Sequence, residues 1–189
     1  MKIKFCGVKN KKDIKKSIIC SANLIGFNFY KKSKRFLTES FIPLIKIIPS
    51  FIYKVALFVN EEYNIINNIK KYFDILQFHG NESFNFCELF KKKYIKTIKL
   101  NEKKDFNVFY NSKNFFSFLI DKKNINYGGC GKQYKNFKNL KKKIFFISGG
   151  INLFNYNTKS LFSNCFNIDI CSSLEYKNLK NIKKMVKIY

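Results

Sequence analysis

Phe115-Phe116-Ser117-Phe118-Leu119-Ile120-Asp121 is a near-continuous apolar run of strand length, closed by a carboxylate. A half-buried strand alternates apolar and polar residues; a strand covered on both faces does not, so this run points to a parallel sheet flanked by helices. Similar runs bounded by turn residues predict strands at Lys2–Cys6, Leu24–Phe29, Lys54–Val59, Ile75–Phe78, Ile95–Leu100, Phe116–Asp121, Ile144–Ser148 and Asn167–Cys171. Segments between them with spacing nearer to helical predict helices at Lys12–Cys20, Glu39–Ile48, Glu61–Tyr72, Glu82–Lys91, Glu102–Asn111, Tyr134–Lys141, Leu153–Phe162 and Asn178–Ile188. The fifth has no clear apolar face, so a short or irregular connection is expected there. Eight strand-plus-helix repeats favour an α/β fold of (β/α)₈ TIM-barrel type, a single domain over residues 1–189, with an open doubly wound sheet as the alternative.

Size and composition agree with one core. The chain has 189 residues, and 46% hydrophobic and 18% aromatic content excludes a disordered chain. Its net charge of +25 would attract nucleic acid or an anionic surface. The basicity is almost all lysine, however, accompanied by many Asn, Phe and Tyr and no Trp, which are the residues of A+T-rich codons. It reads as genome composition, and neither a nucleic-acid nor a membrane partner is expected. Six cysteines at irregular spacings form no CxxC, so no metal framework is expected. The start lacks the apolar core of a secretory signal, and no run approaches a membrane span, which predicts a cytoplasmic setting with reduced thiols. One arginine, Arg35, persists among the lysines, pointing to a planar, bidentate role that an ammonium cannot fill, or to chance survival.

Acids and capping residues open several predicted helices, at Thr38-Glu39, Asn60-Glu61, Asn81-Glu82 and Asn101-Glu102, where they would complement the positive helix terminus. Seven of the eight glycines follow the C-terminal ends of predicted strands, and only Gly26 lies inside one. That end is where a barrel builds its active site. Cys6 ends the first strand beside Gly7 and is either a general base or nucleophile, or a small buried hydrophobe. Asp121 ends the sixth strand and is either a helix cap or a catalytic carboxyl, with its pKa raised if the mouth is poorly hydrated. In a closed barrel these two groups would address one small substrate from different sides, as an acid and base pair needs.

Tyr127-Gly128-Gly129-Cys130-Gly131-Lys132 is a glycine-rich loop without Walker or Rossmann spacing, either a lid or a turn. Ser148-Gly149-Gly150 after strand seven and Cys171-Ser172-Ser173 after strand eight suit a phosphate site, the alternative being ordinary strand-to-helix turns. His79, the only histidine, and Gln77 at the end of strand four read as pocket lining, without a second histidine to suggest a metal.

With these residues assembled, the chain resembles the phosphoribosylanthranilate isomerases of tryptophan biosynthesis over essentially its whole length. The resemblance rests on seven motifs in order. They are Lys2–Val8 with Cys6-Gly7, Gly26–Phe36 with Arg35, Val55–Asn60, Gln77–Gly80, Leu119–Asp121 followed by Tyr127–Lys132, Ser148–Asn152 and Ile168–Glu175. It implies an Amadori rearrangement of an aminoaldose to an aminoketose, without a cofactor, on a small phosphosugar substrate, in a monomer or homodimer. It further implies Asp121 as general acid, Cys6 as general base, Arg35 as the ligand of the anthranilate carboxylate, and Gly149, Gly150, Ser172 and Ser173 around the phosphate.

Departures from the family pattern carry their own expectations. Lys9-Asn10 stand where the family has Thr and Arg or Pro, Cys130 where its lid has Ser or Thr, and Cys171-Ser172-Ser173 where its last loop reads Ser-Ser-Gly. Ser tolerates positive φ less well than Gly, which predicts a shifted loop at Ser173 and weaker phosphate binding. Lys31 in place of a family proline and a chain short around the fifth helix predict reduced stability. A melting temperature well above about 45–65 °C would contradict that. Three rivals remain: a basic nucleic-acid binder, the histidine-pathway isomerase, which carries Asp where this chain has Cys6, and a decayed barrel.

Overall fold

The computed structural model describes residues 2–99, 107–121, 145–149 and 167–188. Eight parallel strands close a barrel in sequential order: β1 Lys2–Cys6, β2 Leu24–Asn28, β3 Tyr53–Phe58, β4 Ile75–Phe78, β5 Tyr94–Lys99, β6 Phe115–Asp121, β7 Phe145–Ser148 and β8 Asn167–Ile170, the last pairing back on β1. All eight predicted strands are present, and the open sheet is excluded by that closure.

Alternate residues of each strand face opposite sides. Ile3, Phe5, Phe27, Phe58 and Phe78 point outward into the layer beneath the helices, where Phe29 stacks on Phe58 and meets Phe73 edge-on. Leu24, Val55, Ile75, Ile95, Leu119 and Phe146 fill the barrel interior as a separate cluster. Each fully buried side chain of this size contributes roughly 1.5–3 kcal/mol, so the inner plug is a packed core rather than a channel. The interior also holds Lys4, fully buried and 3.0 Å from Asp169. Gly26 is explained by these neighbours: a Cβ there would sit 2.9 Å from Cys6 Sγ and 3.1 Å from Lys4 Nζ.

The helical layer departs from expectation in detail. Helix α1, Lys11–Ile19, is capped by Asn10, whose side chain accepts from the Asp13 amide, and this gives the unusual Lys9-Asn10 pair a structural role. The predicted helix 39–48 is instead a 3₁₀ turn, Glu39–Phe41, running into one turn of α2, Ile42–Ile45, with Pro43 near its start. Helix α3 spans Tyr63–Ile69 and α4 spans Phe84–Glu88, capped by Ser83 rather than by Asn81 or Glu82. Thr38 and Glu39 open the first of these turns as expected, Asn101-Glu102 lie outside the described residues, and Glu82 serves elsewhere. Glu82 is buried, 2.8 Å from the Lys96 ammonium, and accepts from the Asn60 amide.

The fifth helix is reduced to a 3₁₀ turn, Asn107–Asn111, among the described residues. The predicted helices at 134–141 and 153–162 lie outside them. The predicted last helix begins late. After a 3₁₀ turn, Ser172–Leu174, the chain makes a small hairpin, β9 Glu175–Tyr176 and β10 Leu179–Lys180, before a short helix at Ile182–Val186. Lys177 and Asn178 both take positive φ, the conformation a two-residue hairpin demands, and the helical pattern of 178–188 cannot register that.

Candidate functional site

At the C-terminal ends of the strands lies a pocket of about 410 Å³. The inward parity of six strands delivers their last inward-facing side chain there: Cys6 from β1, Asn28 from β2, Leu57 from β3, Gln77 from β4, Asp121 from β6 and Ser148 from β7. Of the residues singled out in the sequence, the pocket gathers Cys6, Arg35, Gln77, His79, Asp121, Ser148, Gly149, Cys171 and Ser172. Ser173 sits in the 3₁₀ turn without lining the pocket, and its φ is not positive, so the loop strain expected there is absent. Gly128, Gly129 and Gly150 lie outside the described residues.

Cys6 is buried except toward the pocket. Its thiol is drawn well below the ordinary range, first by a hydrogen bond from the Cys171 thiol and then by the charges of Lys4 and Lys180, which together outweigh burial. Cys171 is raised correspondingly, by its interaction with Cys6 and by burial, and its thiol donates to Glu175 Oε1 at 3.9 Å. Beneath them burial pushes Asp169 up to about 6 against the pull of Lys4. Lys180 is itself buried, donating to the Cys171 carbonyl at 2.9 Å and to Glu175 Oε1 at 3.0 Å.

Gly7, directly after β1, takes φ +72° and leaves room for the single arginine: a Cβ there would lie 2.3 Å from Arg35 Cδ. The loop that carries Arg35 is pinned by Ser33, whose hydroxyl accepts from Asn28 Nδ2 at 3.0 Å and from the Arg35 amide at 3.1 Å. The guanidinium fork is occupied within the chain. Nε and Nη2 each donate at 2.7 Å to the two carboxylate oxygens of Glu175. Burial raises the Glu175 carboxyl, but the Arg35 and Lys180 bonds win and hold it below the usual range.

Asp121 closes β6 across the barrel from β1, with His79 Nε2 3.4 Å from its Oδ2. His79 Nδ1 faces Thr97 Oγ1 at 3.0 Å and Gln77 Nε2 at 3.3 Å. An amide nitrogen only donates, so the network assigns the neutral ring's proton to Nε2, pointing at Asp121. His79 is therefore more than wall: it contacts the carboxyl. Gln77 Oε1, buried and on the pocket, has no hydrogen-bond partner among the described residues, which offers an acceptor to a ligand.

Sequence reasoning placed Cys171 in the phosphate loop and missed its position beside Cys6, and it missed Glu175, Lys4 and Lys180 as parts of this site. That position could have been found by noting that Cys171 ends the strand beside Cys6. The lysines carried no signal among so many. No helix among the described residues is long and apolar enough to cross a membrane.

Comparison with known proteins bears on this geometry. The family model described as N-(5′-phosphoribosyl)anthranilate (PRA) isomerase matches residues 3–189. An N-(5′-phosphoribosyl)anthranilate isomerase from Staphylococcus aureus (strain MRSA252) is 34% identical, over all of this chain and 95% of its own length. Among solved structures, phosphoribosyl anthranilate isomerase from Thermotoga maritima superposes with a TM-score of 0.81 at 28% identity, covering 99% of this chain and 96% of that one. A phosphoribosyl anthranilate isomerase in complex with reduced 1-(o-carboxyphenylamino)-1-deoxyribulose 5-phosphate gives 0.80 at 25% identity, covering 99% and 95%. A further structure is of monomers generated from the dimeric Thermotoga maritima enzyme.

Proposed function

The chain belongs to the N-(5′-phosphoribosyl)anthranilate isomerase family, an isomerase of tryptophan biosynthesis, and from that premise we propose that Cys6 is its general base and Asp121 its general acid. The observation that carries the reading is the Cys6 thiol, held toward its thiolate form at the barrel mouth by Cys171, Lys4 and Lys180, with Asp121 on the far wall of the same pocket.

In the proposed sequence Asp121 protonates the ribose ring oxygen, opening the furanose to a Schiff base. Cys6 then takes the C2 proton, and the resulting enolamine becomes the ketone of the aminoketose. His79 Nε2 lies 3.4 Å from Asp121 Oδ2 and orients the carboxyl toward the pocket. No cofactor enters this sequence.

Arg35 would receive the anthranilate carboxylate through the N–H groups that Glu175 leaves, or by exchange with Glu175. The phosphate would rest against the backbone at Gly149 and the turn opening at Ser172, both on the pocket. Gln77 Oε1 would accept from a substrate hydroxyl. The reading extends to a single barrel domain over residues 1–189, acting in the cytoplasm as a monomer or homodimer, the latter as in the Thermotoga maritima relative.

The test is turnover of freshly generated phosphoribosylanthranilate, followed by loss of its fluorescence, with Cys6→Ala and Asp121→Asn beside the parent. Losing an acid or base costs roughly 10²–10⁴-fold in kcat. Either folded variant keeping more than about a tenth of parental kcat would remove that residue from its role.

A further inference from the structure

Cys171 is a second thiol brought against the proposed base. β1 and β8 pair in register up to Phe5 and Ile170, so Cys6 and Cys171 are the next lateral pair, at the barrel mouth. Adjacent strands lie about 4.7–4.9 Å apart, and their lateral partners project to the same face. That separation falls within the roughly 4.4–6.8 Å between Cα atoms that a disulfide requires.

The surroundings agree. Both side chains line the one pocket, and Cys171 Sγ lies 3.9 Å from Glu175 Oε1. Glycines at 7 and 26 keep the space around the two sulfurs open, since a Cβ would come within 3.0 Å of Cys171 Sγ at the first and 2.9 Å of Cys6 Sγ at the second. Cys20 and Cys87, by contrast, are buried and line no part of that pocket.

We propose that Cys6 and Cys171 form a reversible disulfide when a peroxide enters the pocket, switching the isomerase off by consuming its base. The inactivation rests on the reading of Cys6 as base; the bond itself does not. The Cys6 thiolate attacks one oxygen of hydrogen peroxide, the O–O bond breaks, and the departing hydroxide takes a proton to leave as water. Cys6 becomes a sulfenic acid, oxidised by two electrons. The Cys171 thiol then gives up its proton and its sulfur attacks the Cys6 sulfur. The S–O bond breaks, hydroxide combines with that proton as a second water, and the disulfide remains. A dithiol reverses it by exchange, returning both thiols and becoming the cyclic disulfide.

The experiment treats the fully reduced whole chain with a small excess of hydrogen peroxide. It reads isomerase activity and, after trypsin without reduction, the peptide map by mass spectrometry. Expected in the parent is a linked pair, Phe5–Lys9 with Ser160–Lys177, that fragmentation places on Cys171 rather than Cys165. Activity falls at least tenfold and returns with dithiothreitol. In Cys171→Ser, compared with its own untreated sample, the link is absent and inactivation resists dithiothreitol, because the sulfenic acid proceeds to sulfinic acid.

Oxidation of Cys6 in the parent without the link, or a link from Cys6 to another cysteine, overturns the proposal. So does a Cys6–Cys171 link that leaves activity intact. The base reading fails separately, by activity in Cys6→Ala, and mass detection of the link does not depend on it.

Discussion

Replacing Gly7 by Ala tests how tightly the backbone after β1 is coupled to the arginine above it. Gly7 holds φ +72°, which costs a residue with a Cβ roughly 1–2 kcal/mol. The new methyl would stand 2.3 Å from Arg35 Cδ, 3.0 Å from Cys171 Sγ and 3.1 Å from Arg35 Nε. Carbon contacts are comfortable at about 3.5–4.0 Å, so the arginine stem has to retreat by more than an ångström. Two 2.7 Å bonds to Glu175 do not survive that movement. The pair is partly exposed, with 21% of the Arg35 side chain open to solvent, so its loss is counted at roughly 1–2 kcal/mol after screening. The total is about 2–4 kcal/mol, or a melting temperature lower by about 5–15 °C for a chain of this length.

Thermal unfolding by circular dichroism reads the stability, and steady-state kinetics should show a raised KM with a smaller change in kcat. The decisive comparison is Gly7→Ala in an Arg35→Ala background. With the stem gone, only the backbone cost and the mild Cys171 contact remain, and the penalty should fall by about half. Equal penalties in both backgrounds, or a melting temperature within about 2 °C of the parent, would refute the coupling.

Four further outcomes are expected. Arg35→Lys keeps the charge but loses the planar fork, so KM should rise about tenfold or more with kcat changed less, and an unchanged KM would remove the arginine from substrate binding. The alkylation rate of Cys6 by iodoacetamide should titrate well below the ordinary thiol value of about 8.5, and Cys171→Ala should move that midpoint upward; a midpoint insensitive to Cys171 contradicts the hydrogen-bond argument. Lys96→Met strands the buried Glu82 carboxylate and should cost about 3–5 kcal/mol in urea unfolding, part of it recovered when Glu82→Gln is added, whereas no recovery would mean the charge is not the cause. Asp169 holds its proton to about pH 6 in the fold and to about 3.8 unfolded, so the folded state binds more protons between those values. Its contribution to stability therefore declines as pH rises through that window and is flat above it. Asp169→Asn should remove that component of the slope, and identical slopes in parent and variant would show that Asp169 does not titrate there.

How much could be read beforehand follows from what each feature depends on. The strands were legible because a strand buried on both faces is apolar nearly throughout, and Phe115–Ile120 meets that requirement in six consecutive positions interrupted only by Ser117 and closed by Asp121. Closure then placed the strand ends together, and so Cys6, Gln77, His79 and Asp121, far apart in the chain, share one pocket. The helices were less legible. Their boundaries hang on local backbone choices such as the positive φ at Lys177 and Asn178 or the proline in the first turn of α2, which a hydrophobic period does not encode.

By itself the sequence determined the eight strands and the family to which the chain belongs, and it favoured a barrel with a site at the C-terminal ends of its strands over an open sheet. Only the tertiary structure decided who partners whom. Arg35 meets Glu175 140 positions away, Cys6 meets Cys171 across the β1–β8 seam, and Glu82 turns from the expected helix cap into the buried partner of Lys96. A chain with 37 basic and 12 acidic residues allows hundreds of such pairings. Strand register and barrel closure select among them by bringing particular side chains to within 3–4 Å in a dry interior, where a charge or a thiol left alone is costly and a partner at hydrogen-bond distance sets its protonation.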